Sequence, residues 1–145
     1  MTLFYLPFAL QSILMFIDER FHVKRGLGLW ERLGHPLDSL TVFVPMSMAA
    51  TNEFTPSKLN IYIVLAIFSC VFITKDEWVH AKECGPVECW LHSVLFVIHP
   101  ILFFTTGYLW KNHPDEPLLF IQPIMIGIFM LYQVCKWSLT WKEAK

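Results

Sequence analysis

One arrangement of ionisable residues occurs twice in the chain. The run Asp18-Glu19-Arg20-Phe21-His22-Val23-Lys24 aligns with Asp76-Glu77-Trp78-Val79-His80-Ala81-Lys82. Further on, Gly28 with Glu31 and His35 aligns with Gly85, Glu88 and His92, at an offset one residue shorter. Glu19 and His22 are three residues apart, as are Glu77 and His80, so each pair can share a helix face. Glu31 and His35 are four apart, as are Glu88 and His92. On a continuous helix Glu88, His92 and His99 fall in a stripe about 40° wide, with His99 about 10 Å further along the axis. Glu31, His35 and Asp38 would form a similar stripe, but Gly34 and Pro36 argue against an unbroken helix there.

Carboxylates and neutral imidazoles in this spacing are oxygen and nitrogen ligands for a metal ion, and a cation removes the penalty of crowded negative charge. Ordinary helix-end charge is the competing explanation, and it suffices for Glu53, Glu83, Glu143 and the pair Asp115-Glu116. For the repeated set the alternative to a metal is a structural salt-bridge or proton-relay network with nearby lysines and arginines. A salt-bridge network does not explain four histidines tied to glutamates at helical spacing in both halves. Glu19, His22, Glu31, His35, Glu77, His80, Glu88 and His92 are therefore the expected metal ligands. Asp18 and Asp76 are expected to orient the histidines, with Asp38 and His99 as further ligands or substrate-side groups. Four Glu and four His exceed the needs of one tetrahedral zinc, and no HExxH is present, which argues against a zinc protease. Two metal ions bridged by carboxylates use such a set; iron is the expected metal, with zinc or manganese as alternatives.

Glu19-x-x-His22 with Glu31, and Glu77-x-x-His80 with Glu88, resemble the ligand pattern of ferritin-like di-iron carboxylate proteins. There each half supplies one Glu and one Glu-x-x-His. The placement at helix ends of a membrane bundle also resembles the integral-membrane desaturases and hydroxylases, whose HxxxH and HxxHH boxes this chain lacks. The resemblance covers about 40 residues of motif and loop. It implies a dinuclear, oxygen-dependent oxidoreductase.

These residues need a scaffold, and the apolar sequence supplies one. The chain has 145 residues, 55% of them hydrophobic, and a mean hydropathy of +0.49. This is room for a single domain, residues 1–145. Apolar segments run at about 3–17, 37–51, 59–74, 90–110 and 118–135. Each approaches the roughly 20 helical residues that cross a bilayer core. The expected fold class is all-α: a polytopic transmembrane bundle of about five spans, with a tandem two-span repeat at about 3–51 and 59–110 and a fifth span at 118–135. The second segment is short and carries Pro45, so a kink or incomplete crossing is expected there. Nothing at the N-terminus reads as a cleaved signal peptide, so the first segment is read as a retained span.

Basic residues choose the orientation. Arg20, Lys24, Arg25, Arg32, Lys75, Lys82, Lys136, Lys142 and Lys145 fall on one side, and only Lys58 and Lys111 on the other, accounting for all 11. Nine against two predicts an N-terminus outside and a C-terminus in the cytoplasm, in a bacterial cell membrane. Eight of the 12 acidic residues and four of the 6 histidines share that cytoplasmic end. Trp78, Trp90, Trp110, Trp137 and Trp141 lie near the expected interfaces, where belt anchoring explains them. The net charge of −1 offers no basic face, so nucleic acid is excluded as a partner. Cys84 and Cys89 match neither zinc-ribbon nor thioredoxin spacing, and Cys70 and Cys135 sit in apolar runs.

The expected function is thus a membrane-embedded dinuclear metal oxidoreductase, most simply di-iron. Membrane lipid surrounds it, the substrate is a hydrophobic small molecule from the lipid phase, and an electron-donor protein reduces the metals. A metal-ion transporter or sensor is the alternative, and it would spread ligands through the membrane depth. A haem-binding membrane subunit ranks third, because the glutamate density does not suit it.

Overall fold

The computed structural model describes residues 2–139, and within them the chain is helical with no strand. The elements are α1 (Thr2–Arg25), α2 (Leu29–Thr51), α3 (Pro56–Phe72), α4 (Glu77–Glu83), α5 (Pro86–Asn112) and α6 (Leu118–Gln133). A 3₁₀ turn, Ile73–Asp76, joins α3 to α4, and a π-helical turn, Val134–Leu139, extends α6. Lys142, Lys145, Glu143 and Trp141 lie outside the described residues.

Each expected apolar segment falls on one of the five long helices, with 59–74 and 118–135 running two residues beyond α3 and α6 into the 3₁₀ and π-helical turns. The 28-residue run Pro56–Glu83, the 27-residue Pro86–Asn112 and the 20-residue Leu118–Trp137 are long and apolar enough to cross a membrane. With 24 and 23 residues, α1 and α2 match them in length but not in apolarity. Apolar side chains face outward along the bundle: Ile13 and Phe16 on α1, Val64 and Ile67 on α3, Phe104 on α5 and Ile128 on α6 are all exposed. The interior holds polar groups instead, including Glu31, Ser69, Asp76, His22 and Thr106. In water that distribution would be inside-out; against hydrocarbon it is favourable, since backbone polarity is satisfied within each helix.

The break expected in α2 does not occur. The helix runs through Gly34, Pro36 and Pro45 without interruption. Packing outweighs the propensity cost here. Gly34, Pro36, Ser39, Val42, Pro45, Met46 and Ala49 are buried where α2 lies between α3 and α6. At Gly34 a Cβ would approach Asp76 Oδ2 and Lys75 Nζ to 3.1 Å, so a larger residue here would push these side chains back by a few tenths of an ångström.

The two most extensive helix packings join elements distant in the chain. Helix α1 packs on α5, α2 on α6 and α3, and α3 on α5. The apolar core between them contains Met46, Tyr62, Leu102, Phe103, Leu109 and Trp110. Tyr62 donates its hydroxyl to the Phe103 carbonyl at 2.8 Å, and Trp110 Nε1 donates to the Asn52 carbonyl at 2.7 Å. At the end of the bundle opposite the histidines, the Tyr5 hydroxyl donates to Glu116, tying α1 to the α5–α6 loop.

Candidate metal centre

Two tight turns bring the ionisable residues to one end. Between α1 and α2 the chain uses only Gly26, Leu27 and Gly28. Gly26 takes the left-handed conformation, φ 79°, and its N–H donates to the His22 carbonyl at 2.8 Å, which closes α1. Gly28 then caps α2 with its N–H directed to Glu31 Oε2 at 3.3 Å. At the second turn, Cys84 N–H donates to the His80 carbonyl at 2.9 Å and Gly85 caps α5. Both caps hold nearly the same backbone, φ −66° and ψ 164° at Gly28 against φ −75° and ψ 164° at Gly85.

The helix ends place two groups of ligand-type side chains next to each other. In the first group, Asp18 and His22 from α1 meet Glu88 and His92 from α5. Asp18 Oδ1 lies 2.7 Å from His92 Nε2, and His22 Nε2 lies 3.6 Å from Asp18 Oδ2 and 3.8 Å from Glu88 Oε1. In the second group, Glu31 and His35 from α2 meet His80 from α4, with His80 Nε2 3.6 Å from Glu31 Oε1. Asp38 and Asp76 adjoin it through His35. Ligand atoms within each group lie within 4.8 Å of one another. A metal about 2.1 Å from each ligand wants them roughly 3 to 4.2 Å apart, so small side-chain shifts complete a coordination shell.

The four imidazoles also face each other. The ring centroids of His22 and His35 are 4.5 Å apart, and those of His80 and His92 4.0 Å. His22 and His92 are 6.1 Å apart, and His35 and His80 6.4 Å. His22, His80 and His92 are buried. Buried nitrogens at all four rings lack a hydrogen-bond partner among the described residues: His22 Nε2, His35 Nε2, both nitrogens of His80 and His92 Nδ1. Buried polar atoms are rarely left unpaired. A metal ion held between such imidazoles and carboxylates would give these nitrogens a partner. The donor set, imidazole with carboxylate, suits iron, manganese or zinc.

Cations of the chain temper the negative charge. Arg25 donates to Glu31 at 2.7 and 3.1 Å, to Glu88 at 3.3 Å and to Glu83 at 3.3 Å. Burial works against the Glu31 charge, but the His80 ring and the Arg25 guanidinium outweigh it and hold this carboxyl well below the usual carboxylate range. Lys75 Nζ sits 2.7 Å from both Asp38 oxygens and from Asp76 Oδ2. Arg25 thus serves Glu31 and Glu88, Lys75 serves Asp38 and Asp76, and Asp18 meets His92 and His22. From sequence alone, nearby lysines and arginines count as neutralising partners in general, with neither Arg25 nor Lys75 singled out; the position of Lys75 directly before Asp76 is the available signal.

Not every expected ligand joins the groups. Glu19 turns away from the histidines, where its Oε1 accepts from the Tyr132 hydroxyl at 2.9 Å and from Trp137 Nε1 at 3.0 Å. Glu77 lies at the exposed edge, 3.8 Å from His80 Nδ1. The aspartates beside them, Asp18 and Asp76, occupy the inner positions. The inward pattern is Asp-x-x-x-His followed by Glu-x-x-x-His, rather than the Glu-x-x-His of the ferritin-like resemblance. His99 lies outside both groups: its Nε2 is 3.0 Å from Ser69 Oγ, which in turn is 2.8 Å from Thr41 Oγ1.

From the ligands a cavity of about 120 Å³ runs inward to His99, walled by Met15, Val42, Phe96, Leu102, Ile126 and Phe129. The buried Ser39 hydroxyl, donating to Gln133 Oε1 at 2.6 Å, adds a polar pair to its lining. No known protein family, curated protein or solved structure matches this chain.

Proposed function

We propose that this protein is an integral-membrane dinuclear metal oxidoreductase, with iron as its metal and a hydrophobic molecule from the lipid phase as its substrate. One metal ion is held by Asp18, His22, Glu88 and His92, and the other by Glu31, His35 and His80 with Asp76. The observation that carries this reading is the set of buried, unpartnered imidazole nitrogens facing carboxylates in two adjacent groups. Iron in such a site supplies dioxygen chemistry, with electrons from a donor protein. The chain's own residues bind and orient the ions, exclude bulk water, and guide substrate along the apolar cavity wall. His99, held by Ser69, stands at the far end of that cavity to orient a polar group of the substrate.

The duplicated sequence supports a symmetric origin for the centre. The repeat pairs Asp18 with Asp76, His22 with His80, Glu31 with Glu88 and His35 with His92. Under that pairing the packing of α1 on α5 becomes that of α3 on α2. The His22–Glu88 approach of 3.8 Å becomes His80–Glu31 at 3.6 Å. The ring separations of 4.5 and 6.1 Å become 4.0 and 6.4 Å. Two-span repeats related by an axis along the membrane normal have this property. In this reading the chain crosses five times, with the N-terminus outside and the metals at the cytoplasmic face, and the basic residues gathered around the centre support that orientation.

Metal analysis of detergent-purified protein, with Mössbauer spectroscopy of the iron-loaded form, tests the reading. Between one and two iron ions per chain at saturation, with spectra of nitrogen- and oxygen-ligated iron, is the expected result. Less than about one bound iron, manganese or zinc per chain would overturn it.

A further inference from the structure

The two halves of the centre differ in how their carboxylates are occupied, a difference that matters only if the metal reading above holds. Asp18 is partnered by His92 and His22. Glu88 meets Arg25 at the longer distance of 3.3 Å. In the other half, cations of the chain grip the carboxylates. Arg25 holds Glu31 by both oxygens, and the Lys75 ammonium lies 2.7 Å from three carboxylate oxygens of Asp38 and Asp76. Three oxygens around one compact charge form a cation site already filled, and Gly34 leaves the space that admits it.

The sequence carries the same asymmetry. Aligned through Asp18 and Asp76, Lys75 corresponds to Ile17; aligned through His35 and His92, Asp38 corresponds to Leu95. The ammonium and its extra carboxylate therefore exist in one half only.

We propose that the two sites load in a fixed order. The first divalent cation binds Asp18, His22, Glu88 and His92. The second binds Glu31, His35, His80 and Asp76 only after Lys75 and Arg25 leave those carboxylates. Lys75 acts as a tethered counter-ion that shuts the second site in the metal-free and singly loaded protein. A divalent ion and an ammonium cannot share one carboxylate cluster without strong repulsion. Without either, the buried carboxylates would stand uncompensated. A lysine suits the exchange, being a compact charge on a flexible stem. Its Nζ lies 4.9 Å from the Phe72 ring, whose face can receive it when it is displaced.

The test is a Co²⁺ titration of the full-length, chelator-stripped protein in detergent, followed by bound-metal analysis and ligand-field absorption. The wild type should take up one Co²⁺ tightly and a second about 100-fold more weakly, the scale expected when a fixed cation must be displaced. Lys75→Met should tighten the second step by about tenfold or more and leave the first within about twofold. His92→Ala should abolish the tight step and keep the weak one. Two equal steps in the wild type, or an unchanged second step in Lys75→Met, would overturn the ordered loading while the metal reading stands. No Co²⁺ uptake at all would overturn both. If Lys75→Met fails to fold, the wild-type isotherm and His92→Ala decide the matter.

Discussion

His92 Nε2 lies 2.7 Å from Asp18 Oδ1, joining residues 74 positions apart in the chain. The contact ties the C-terminal part of α1 to the start of α5 rather than to α2, its neighbour in sequence. Through it the first ligand group is assembled from both halves of the chain, so neither half can build a site alone.

Under the proposed metal reading, that contact distinguishes the expected ligands from neighbouring acids. Asp18→Ala should weaken the first metal step by at least about 10- to 100-fold, the loss typical even of supporting groups around a metal, and His92→Ala should abolish that step. Glu77→Gln, at the exposed edge, should leave it unchanged. Glu19→Gln should also retain metal, because its amide carbonyl can still accept from Tyr132 and Trp137. Glu19→Ala should instead lose about 2 kcal/mol of stability through two abandoned donors. Metal per chain and unfolding in detergent, measured on the same samples, distinguish these outcomes.

Gly26 closes α1 in the left-handed region, φ 79°. A Cβ there costs about 1 to 2 kcal/mol, so Gly26→Ala should lower the unfolding midpoint and loosen metal binding, while Gly26→Asn should be milder. Equal stability of Gly26→Ala and wild type would contradict this account of the turn.

The Arg25–Glu31 pair has a pH signature in the metal-free protein. The Glu31 carboxyl is held below its ordinary value, so its contribution to stability is fully present above the unfolded value, near 4.3, and fades as pH falls below that. Glu31→Gln should therefore be less stable than wild type by a constant margin between about pH 8 and pH 5, and the two should converge only below about pH 4. Thermal unfolding across that range gives the comparison.

On the outward face of α3, Val64 is 65% exposed. On a water-facing surface Val64→Lys would be nearly neutral. Facing hydrocarbon it should cost about 2.5–3.5 kcal/mol of insertion free energy and sharply reduce the membrane-integrated yield. Normal yield of a water-extractable Val64→Lys protein would contradict the membrane reading of α3.

Apolar blocks of near-membrane length, punctuated by glycine and proline, specify five long helices by their own composition. The doubled Asp-Glu and Gly-x-x-Glu segments likewise mark one end of the bundle as ionisable, and no folding is needed to read either feature. Tertiary structure decided which of those groups meet. Adjacent helical residues point about 100° apart, yet Asp18 and Glu19 both lie within one turn of His22, so spacing alone could not choose between them. The pairing of α1 with α5 and the Tyr132 and Trp137 donors chose, turning Asp18 inward and Glu19 to the wall. Packing also overrode local propensity in α2, where burial between α3 and α6 keeps the helix unbroken through Gly34 and Pro36. The roles of Lys75 and Arg25 as resident cations came from the same source. A lysine's charge is legible in a sequence, but the three carboxylate oxygens around it exist only once the helices have packed.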